Sequence, residues 1–461
     1  LNIDKNFAFG FDDFILLPGY IEIEPSEIDL RTKFSLNIPL NVPFVSSPMD
    51  TVTEAEMAIT LARYGGIGVI HRNNSIEEQI EQVKKVKRAE SFIIRDVIVI
   101  SPEASVGEAA KIMQEYGISG LPVVDEENRL VGIITGRDVR FASFDIKVKD
   151  AMTKDVIVAN ENITPEESIE LMKKYRIEKL PVVNKEGKLV GLITYKDVSL
   201  RGKFKDAVRD ENGRLRVAAA VSAFDLERAI KLSKYADALV IDVAHFHNNN
   251  VISATKKILE NVNVDVIIGN IGTKEGVLDS LSKLDKVAGL RVGIGSGSVC
   301  TTTQITKVGS PTLFAVAAAK EAMQELGMDI PIIADGGIRN AGDIALCLAF
   351  GASCAMMGYV FAGCKESPAP LMIIGGRYYK LHRGMGSISA RQKRLAVDRY
   401  AKMTKEIPEG TEAYLPYKGD AGSVIIELAN ALKVAMGYAG CKNIKEMQEK
   451  AKVMKSKSIS T

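Results

Sequence analysis

Eight short apolar runs, each ending in small or hydrogen-bonding residues, constrain this chain more than any other feature. Two come early. Val42-Pro43-Phe44-Val45 runs into Ser46-Ser47-Pro48-Met49-Asp50, and Gly65-Gly66-Ile67-Gly68-Val69-Ile70 runs into His71. Six more follow residue 214: Val217–Val221, Ala238–Asp242, Val264–Gly269, Leu290–Gly295, Ile332–Asp335 and Cys354–Gly358. Helical spacing fills most of the gaps, as at Thr53–Tyr64, Phe224–Lys234 and Leu313–Leu326. Eight strand–helix units are the count of a (β/α)8 barrel. The runner-up is an open doubly wound sheet. It would carry Gly-x-Gly-x-x-Gly after its first strand, and none stands there.

The alternation is interrupted once, by an internal repeat. Ile118-Ser119-Gly120-Leu121-Pro122-Val123-Val124 returns as Ile177-Glu178-Lys179-Leu180-Pro181-Val182-Val183. Leu130-Val131-Gly132-Ile133-Ile134-Thr135 returns as Leu189-Val190-Gly191-Leu192-Ile193-Thr194, and Asp138 as Asp197. Each copy reads helix, strand, turn, strand, helix, so two copies suggest a pseudo-symmetric pair. The repeat resembles a tandem of cystathionine-β-synthase-type (CBS) modules. That resemblance implies that Thr135/Asp138 or Thr194/Asp197 contacts the ribose of an adenine or guanine nucleotide. The alternative is that both aspartates cap the helix that follows. The expected division is a barrel of residues 1–91 and 202–461 with a CBS pair, 92–201, inserted.

The bulk properties exclude several classes. The 461 residues carry a net charge of +2, which gives no electrostatic case for nucleic acid or an anionic membrane. There is no run of about 18 apolar residues and no signal-peptide pattern, so a cytoplasmic protein without a membrane segment is expected. Five cysteines, Cys300, Cys347, Cys354, Cys364 and Cys441, are too few and too uneven for a disulfide framework. None has metal-ligand spacing beside a histidine, so no zinc site is expected.

In a barrel, chemistry sits where strands end. That rule selects Ser47 and Met49, Asp242, Asn270, Gly293 to Thr302, Asp335-Gly336-Gly337 and Met357-Gly358. The stretch Val292-Gly293-Ile294-Gly295-Ser296-Gly297-Ser298-Val299-Cys300-Thr301-Thr302 stands out. Its glycines let backbone N–H groups approach a ligand, and a partly exposed cysteine among such dipoles suits a reactive thiolate. Read without context, the same stretch is equally a glycine-rich turn before a buried cysteine. The last two strand ends are where barrels commonly hold phosphate. Met49 alone reads as core, and His71 as a histidine satisfied by nearby backbone.

Five motifs carry a wider resemblance: Phe14-Ile15-Leu16-Leu17-Pro18-Gly19-Tyr20, Ser46-Ser47-Pro48-Met49-Asp50-Thr51-Val52-Thr53, the cysteine loop, Ala334-Asp335-Gly336-Gly337-Ile338 and Arg383-Gly384-Met385-Gly386-Ser387. With the CBS-like insertion, the chain resembles the IMP dehydrogenase / GMP reductase family over nearly its whole length. The resemblance implies that Cys300 attacks C2 of the hypoxanthine ring of IMP and that hydride passes to NAD+. A covalent thioimidate is left for water to hydrolyse to XMP. It implies that Thr302, Arg399 and Tyr400 position and activate that water. Ser298, Asp335, Gly337 and Gly358 would hold the ribose and phosphate, Met385, Gly386 and Glu409 the base, and Ser47 and Met49 would line the same substrate site. Asp242, Asn270 and Gly293 would face the cofactor. The carbonyls of Gly295, Gly297 and Cys300 would hold a monovalent cation such as K+, in a homotetramer. The polar, basic stretch from about 388 to 413, with no apolar period of its own, would be a mobile flap.

Two other functions compete. A GMP reductase would share the cysteine and fold but use NADPH and release ammonia; Arg399-Tyr400 argues for the dehydrogenase, while Asp242-Val243-Ala244 looks slightly reductase-like. A catalytically silent nucleotide sensor built on the CBS pair is disfavoured by the intact Cys300-Thr301-Thr302. Several positions depart from the family pattern: Phe246 for a glycine, Tyr359 for a small residue, His382 for a phosphate-contacting tyrosine, and Thr303 for Gln or Arg. The chain also ends without the family's extended tail. These departures bear on cofactor preference, phosphate affinity and potassium dependence.

Overall fold

The computed structural model describes residues 9–89, 92–95, 97–387, 390 and 410–456. Among these, the eight expected strands close into one parallel barrel. We number them β1 (Phe44–Ser46), β2 (Ile67–Ile70), β3 (Ala218–Val221), β4 (Ala238–Ile241), β5 (Asp265–Ile271), β6 (Val287–Val292), β7 (Ile332–Asp335) and β8 (Cys354–Met357). β8 pairs with β1 through Ala355↔Phe44 and Met357↔Ser46, which closes the ring. The strands are buried along nearly their whole length. That is why they read as continuous apolar runs rather than as alternating ones.

Alternate residues fill the interior: Ile67 and Val69, Ala218 and Ala220, Ala238 and Val240, Cys354 and Met356 share one core. A hairpin of Thr32–Ser35 and Ile38–Leu40 adds Phe34, Ile38 and Leu40 to it. The hairpin sits at the strand starts: Thr32 donates to Ser353 O, Leu36 N–H to Ala288 O, and Ser35 to the Asp265 carboxylate. One end of the barrel is thereby plugged, and only the C-terminal strand ends are left to face a ligand.

β6 is shifted from its expected place. The apolar signal suggested Leu290–Gly295, but the strand runs Val287–Val292. Gly293, at φ +116°, ends the ladder, and a Cβ there would lie 2.3 Å from Asp335 O. Beyond the barrel, three strands form an antiparallel sheet: β9 (Leu371–Ile374), β10 (Arg377–Arg383) and β11 (Glu412–Pro416). The stretch from 388 had no apolar period, and its described end, from Glu412, is strand.

The chain divides into two compact units: residues 1–87, 206–210 and 215–461, and residues 88–205 with 211–214. The second unit contains two matching halves. Helix Val106–Tyr116, strands Gly120–Val124 and Leu130–Thr135, and helix Gly136–Phe141 are followed by helix Pro165–Tyr175, strands Lys179–Val183 and Leu189–Thr194, and helix Tyr195–Lys203. Each half has its own buried cluster, around Leu121 and Ile134 and around Leu180 and Ile193. Thr135 and Thr194 each hydrogen-bond the aspartate three residues on, at the start of the last helix of each half. No helix among the described residues is long and apolar enough to cross a membrane.

Candidate functional site

A cleft of about 970 Å3, open mouth included, lies at the C-terminal ends of the barrel strands. It is the size of a small-molecule or cofactor site. Cys300 lines it, on the loop that leaves β6. The sequence folds this loop tightly: Cys300 N–H donates to Gly297 O at 3.0 Å, and Thr411 N–H donates to Val299 O at 3.0 Å, which ties the loop to the chain entering β11. Cys300 Sγ stands 3.3 Å from Thr302 Oγ1. Cys300 is partly exposed, whereas Cys347, Cys354, Cys364 and Cys441 are buried. Burial pushes those four thiols up, Cys364 to about 12. A buried thiol without a cationic partner supplies almost no thiolate near neutral pH. The cleft therefore contains the one cysteine suited to nucleophilic attack.

The far wall comes from β7 and β8. Asp335 ends β7, followed by Gly336 at φ +101° and Gly337 at φ +76°. A Cβ on Gly336 would sit 2.5 Å from Ser296 Oγ, so only glycine lets this turn meet the cysteine loop. Gly337 and Gly358 line the cleft beside Ser298. Ser47 and Met49 come from the loop after β1, where Ser47 N–H donates to Met357 O at 3.1 Å. Met49, which read as core, lines the cleft with its sulfur toward Gly358. Met385 and Gly386 close the same wall. Their loop is anchored by Arg383, whose guanidinium bonds both oxygens of Asp50, itself bound by Asn73. Burial opposes ionisation of Asp50, but Arg383 outweighs it and holds the carboxyl below its usual range.

Asn270, Gly293, Gly295, Gly297 and Thr302 line the cleft as well. Asp242 does not. It is fully buried beneath the floor, one oxygen accepting from Arg291 Nη1 at 3.0 Å and the other 3.4 Å from Arg72 Nε. Arg291 also donates Nε to Asp335 Oδ2 at 2.9 Å, and Asn270 Nδ2 donates to the same oxygen at 2.9 Å. Arg72, Asp242, Arg291 and Asp335 thus form a run of alternating charge that rises from beneath the floor to the cleft wall. Sequence reading missed Arg72 and Arg291. The signal was there: a charged residue inside the otherwise apolar β6 has to be paired. Arg291→Met should leave two carboxylates short of a partner and destabilise the fold by about 3–5 kcal/mol. The lower end is expected because Arg72 and Asn270 remain, and the urea midpoint measures it.

Three assigned residues, Arg399, Tyr400 and Glu409, lie outside the described residues. His71 is buried away from the cleft, with Nε2 3.2 Å from Glu54 Oε1 and Nδ1 accepting from Asn73 N–H. A carboxylate as well as backbone satisfies it. Among the departures, Phe246 is fully buried and donates its N–H to Asn270 O at 2.9 Å. Thr303 Oγ1 donates to Gly295 O at 3.3 Å. Tyr359 and His382 both line the cleft.

The family model described as the IMP dehydrogenase / GMP reductase domain matches residues 8–461. The chain is 56% identical to inosine-5′-monophosphate dehydrogenase of Korarchaeum cryptofilum, over 98% of this chain and 95% of that protein. It is 48% identical to the enzyme of the same name from Aquifex aeolicus, over 99% and 94%. Among solved structures, a cysteine-to-alanine variant of Trypanosoma brucei GMP reductase in complex with guanosine 5′-monophosphate superposes with a TM-score of 0.89. It is 35% identical, covering 98% of this chain and 96% of that one.

Proposed function

This chain belongs to the IMP dehydrogenase / GMP reductase family, and from that membership we propose that it works as the dehydrogenase, oxidising IMP to XMP. The relatives named as dehydrogenases reach 56% identity, whereas the superposed reductase stands at 35%. The observation that carries the chemistry is the single partly exposed thiol, on a glycine loop facing Asp335 across one cleft. A thiolate adds to the electron-poor C2 of the purine and divides one hard step into two. NAD+, when bound, accepts the hydride that leaves C2. Water then hydrolyses the thioimidate on Cys300, releasing XMP, and the net change is IMP, NAD+ and water to XMP, NADH and a proton.

The chain's own residues divide this work. Thr302 Oγ1, 3.3 Å from the sulfur, is within reach of the thiolate and of the carbon it attacks. Arg291 and Asn270 both bind Oδ2 of Asp335, and its other oxygen, Oδ1, suits the ribose hydroxyls. Asn270 Oδ1 is buried and has no hydrogen-bond partner among the described residues, which suits a hydroxyl of the cofactor. Gly293 lines the cleft beside it, and Asp242 supports that corner from below through Arg291. Met385, Gly386 and Glu409 hold the base. Arg399 and Tyr400 serve the hydrolytic half-reaction.

The carbonyls of Gly295, Gly297 and Cys300 offer uncharged oxygen on one loop. That suits a monovalent cation such as K+, which would order the loop. The 88–205 unit reads as a CBS pair binding an adenine or guanine nucleotide, supported by its two matching halves. Assembly as a homotetramer and a cytoplasmic location follow from the same family reading. Because the cleft lies wholly within the other unit, replacing residues 92–201 by a short linker should leave a folded barrel with activity within a few-fold of the full chain. An inactive but well-folded deletion would place the insertion in the catalytic cycle. The activity itself is tested by absorbance at NADH wavelengths with IMP plus NAD+, beside GMP plus NADPH. Turnover of the second pair alone would make the chain a reductase.

A further inference from the structure

His382 is an unusual group to find in the cleft wall. It sits on β10 with 1% of its surface exposed, yet it lines the cleft at the end of β8. A Cβ on Gly358 would lie 3.6 Å from its Cε1. Its Nε2 is 3.5 Å from Ser298 Oγ, at the outer limit of a hydrogen bond, and its buried Nδ1 has no partner among the described residues. A buried polar nitrogen left so loosely engaged is what a site looks like before its ligand arrives.

The surroundings of this imidazole select the sign of that ligand. On its own strand, Lys380 is tied to Lys365 O and Ser367, and Arg383 is paired with Asp50. On β11 the residue opposite is Ala413, with Glu412 opposite Arg383. Past β11, Lys418 stands over the Tyr359 ring, 5.0 Å from its centroid, and its charge reaches His382. The cleft side offers Ser298, Ser47, Met49 and Gly358, none of them charged. Burial, then Lys418, pushes His382 down to about 4, so it is neutral in the free protein at ordinary pH. Among the described residues, no carboxylate lowers the charge of this corner. It is short of negative charge.

The inference rests on the IMP reading. The family reading seats the 5′-phosphate beside Ser298, Gly337 and Gly358, at the ends of β7 and β8 where barrels commonly hold phosphate, and His382 borders that corner. We propose that the imidazole of His382, standing where the family reading puts a phosphate-contacting tyrosine, takes up one proton when the phosphate dianion is seated, which couples IMP binding to pH. The balance is simple: neutral imidazole, one solvent proton and the IMP dianion give imidazolium paired with phosphate. An anion within about 4–6 Å favours the charged imidazole and reverses the effect of burial.

The sign follows from linkage. Binding raises the pKa of His382, so the affinity gain is fully present below the free-state value of about 4 and is lost as pH rises through the value in the complex. The phosphate's own second ionisation near pH 6 obscures this in acid, so the window to examine is roughly pH 6.5 to 8.5. There the IMP affinity of the full-length wild type should fall by up to about tenfold per pH unit until the complex itself deprotonates. Calorimetric titration with IMP alone, in buffers of different ionisation enthalpy, should show up to one proton taken up per site at the acid end of that window. Inosine, which lacks the phosphate, should show none. His382→Gln, which keeps an amide donor but cannot titrate, should bind IMP without proton uptake and with a flat profile. Isotope-labelled wild type offers a check that needs no variant: the His382 ring signals should move to the imidazolium position on adding IMP. IMP binding with equal proton counts and equal pH profiles in wild type and His382→Gln would overturn the proposal while leaving the dehydrogenase reading intact. Wild type that neither binds IMP nor makes NADH from it would overturn both.

Discussion

Cys300→Ala should reduce NADH formation from IMP and NAD+ by about 10⁴-fold or more, because removing a nucleophile removes the covalent route and not one contact among many. The fold gives no substitute. The other four thiols lie in the core, where burial keeps them protonated. The Cys300 side chain is partly exposed and does not fill the core, so its truncation should leave the melting temperature nearly unchanged. IMP should still bind, since in the proposed arrangement its ribose and phosphate are held by Asp335 and the β8 corner and not by the sulfur. Wild type quenched during turnover should carry a nucleotide-sized mass on the peptide containing Cys300, and the variant should not. Substantial turnover by the alanine variant would remove the cysteine from the mechanism altogether.

Arg399→Ala should separate the two half-reactions. If Arg399 serves hydrolysis, hydride transfer survives its loss, and rapid mixing should show a burst of NADH approaching one equivalent per site. The steady rate should then fall by about 10²–10⁴-fold, the usual worth of a general acid or base. The covalent intermediate should accumulate in step, visible by the same mass measurement. An arginine is an unusual base, because its reference pKa is above about 12. The expected defect is therefore in water activation whether the guanidinium takes the proton itself or orients Tyr400 and the water. A reductase predicts a different pattern, with no burst from IMP and NAD+ and no hydrolytic step to lose. Equal loss of burst and steady rate would assign Arg399 to binding or folding.

The barrel was legible because its strands are buried on both faces. Each then appears as a mainly apolar run, and counting the runs counts the strands. What composition could not supply was register. β6 begins three residues before its expected start because Val287, Ala288 and Gly289 are as buried as the strong signal that follows them. Most site residues were legible by one rule, that they end strands, and Cys300, Asp335, Asn270 and Gly358 do line one cleft. Asp242 shows the limit of that rule. It follows directly on β4, but two arginines draw it beneath the floor, and those arginines lie far from it in sequence. Long-range pairing of this kind leaves no periodic trace. The same holds for Asp50 and Arg383, 333 residues apart, and for His382, whose meaning depends on Lys418 and Ser298 rather than on its neighbours in the chain.

The distribution of sulfur also decides how this chain meets an oxidant. Peroxide reacts with thiolate, and four of the five cysteines present almost none. The remaining thiol, partly exposed at the cleft, should be the first of the five to be oxidised. Its first product is a sulfenic acid, which a small thiol reduces. Since Cys300 is not part of the packed core, this oxidation should silence the chain while its near-ultraviolet circular dichroism stays constant, and reductant should restore it without refolding. The one thiol open to an oxidant is thus one that the packed core does not use, and a reductant can reach it where it stands.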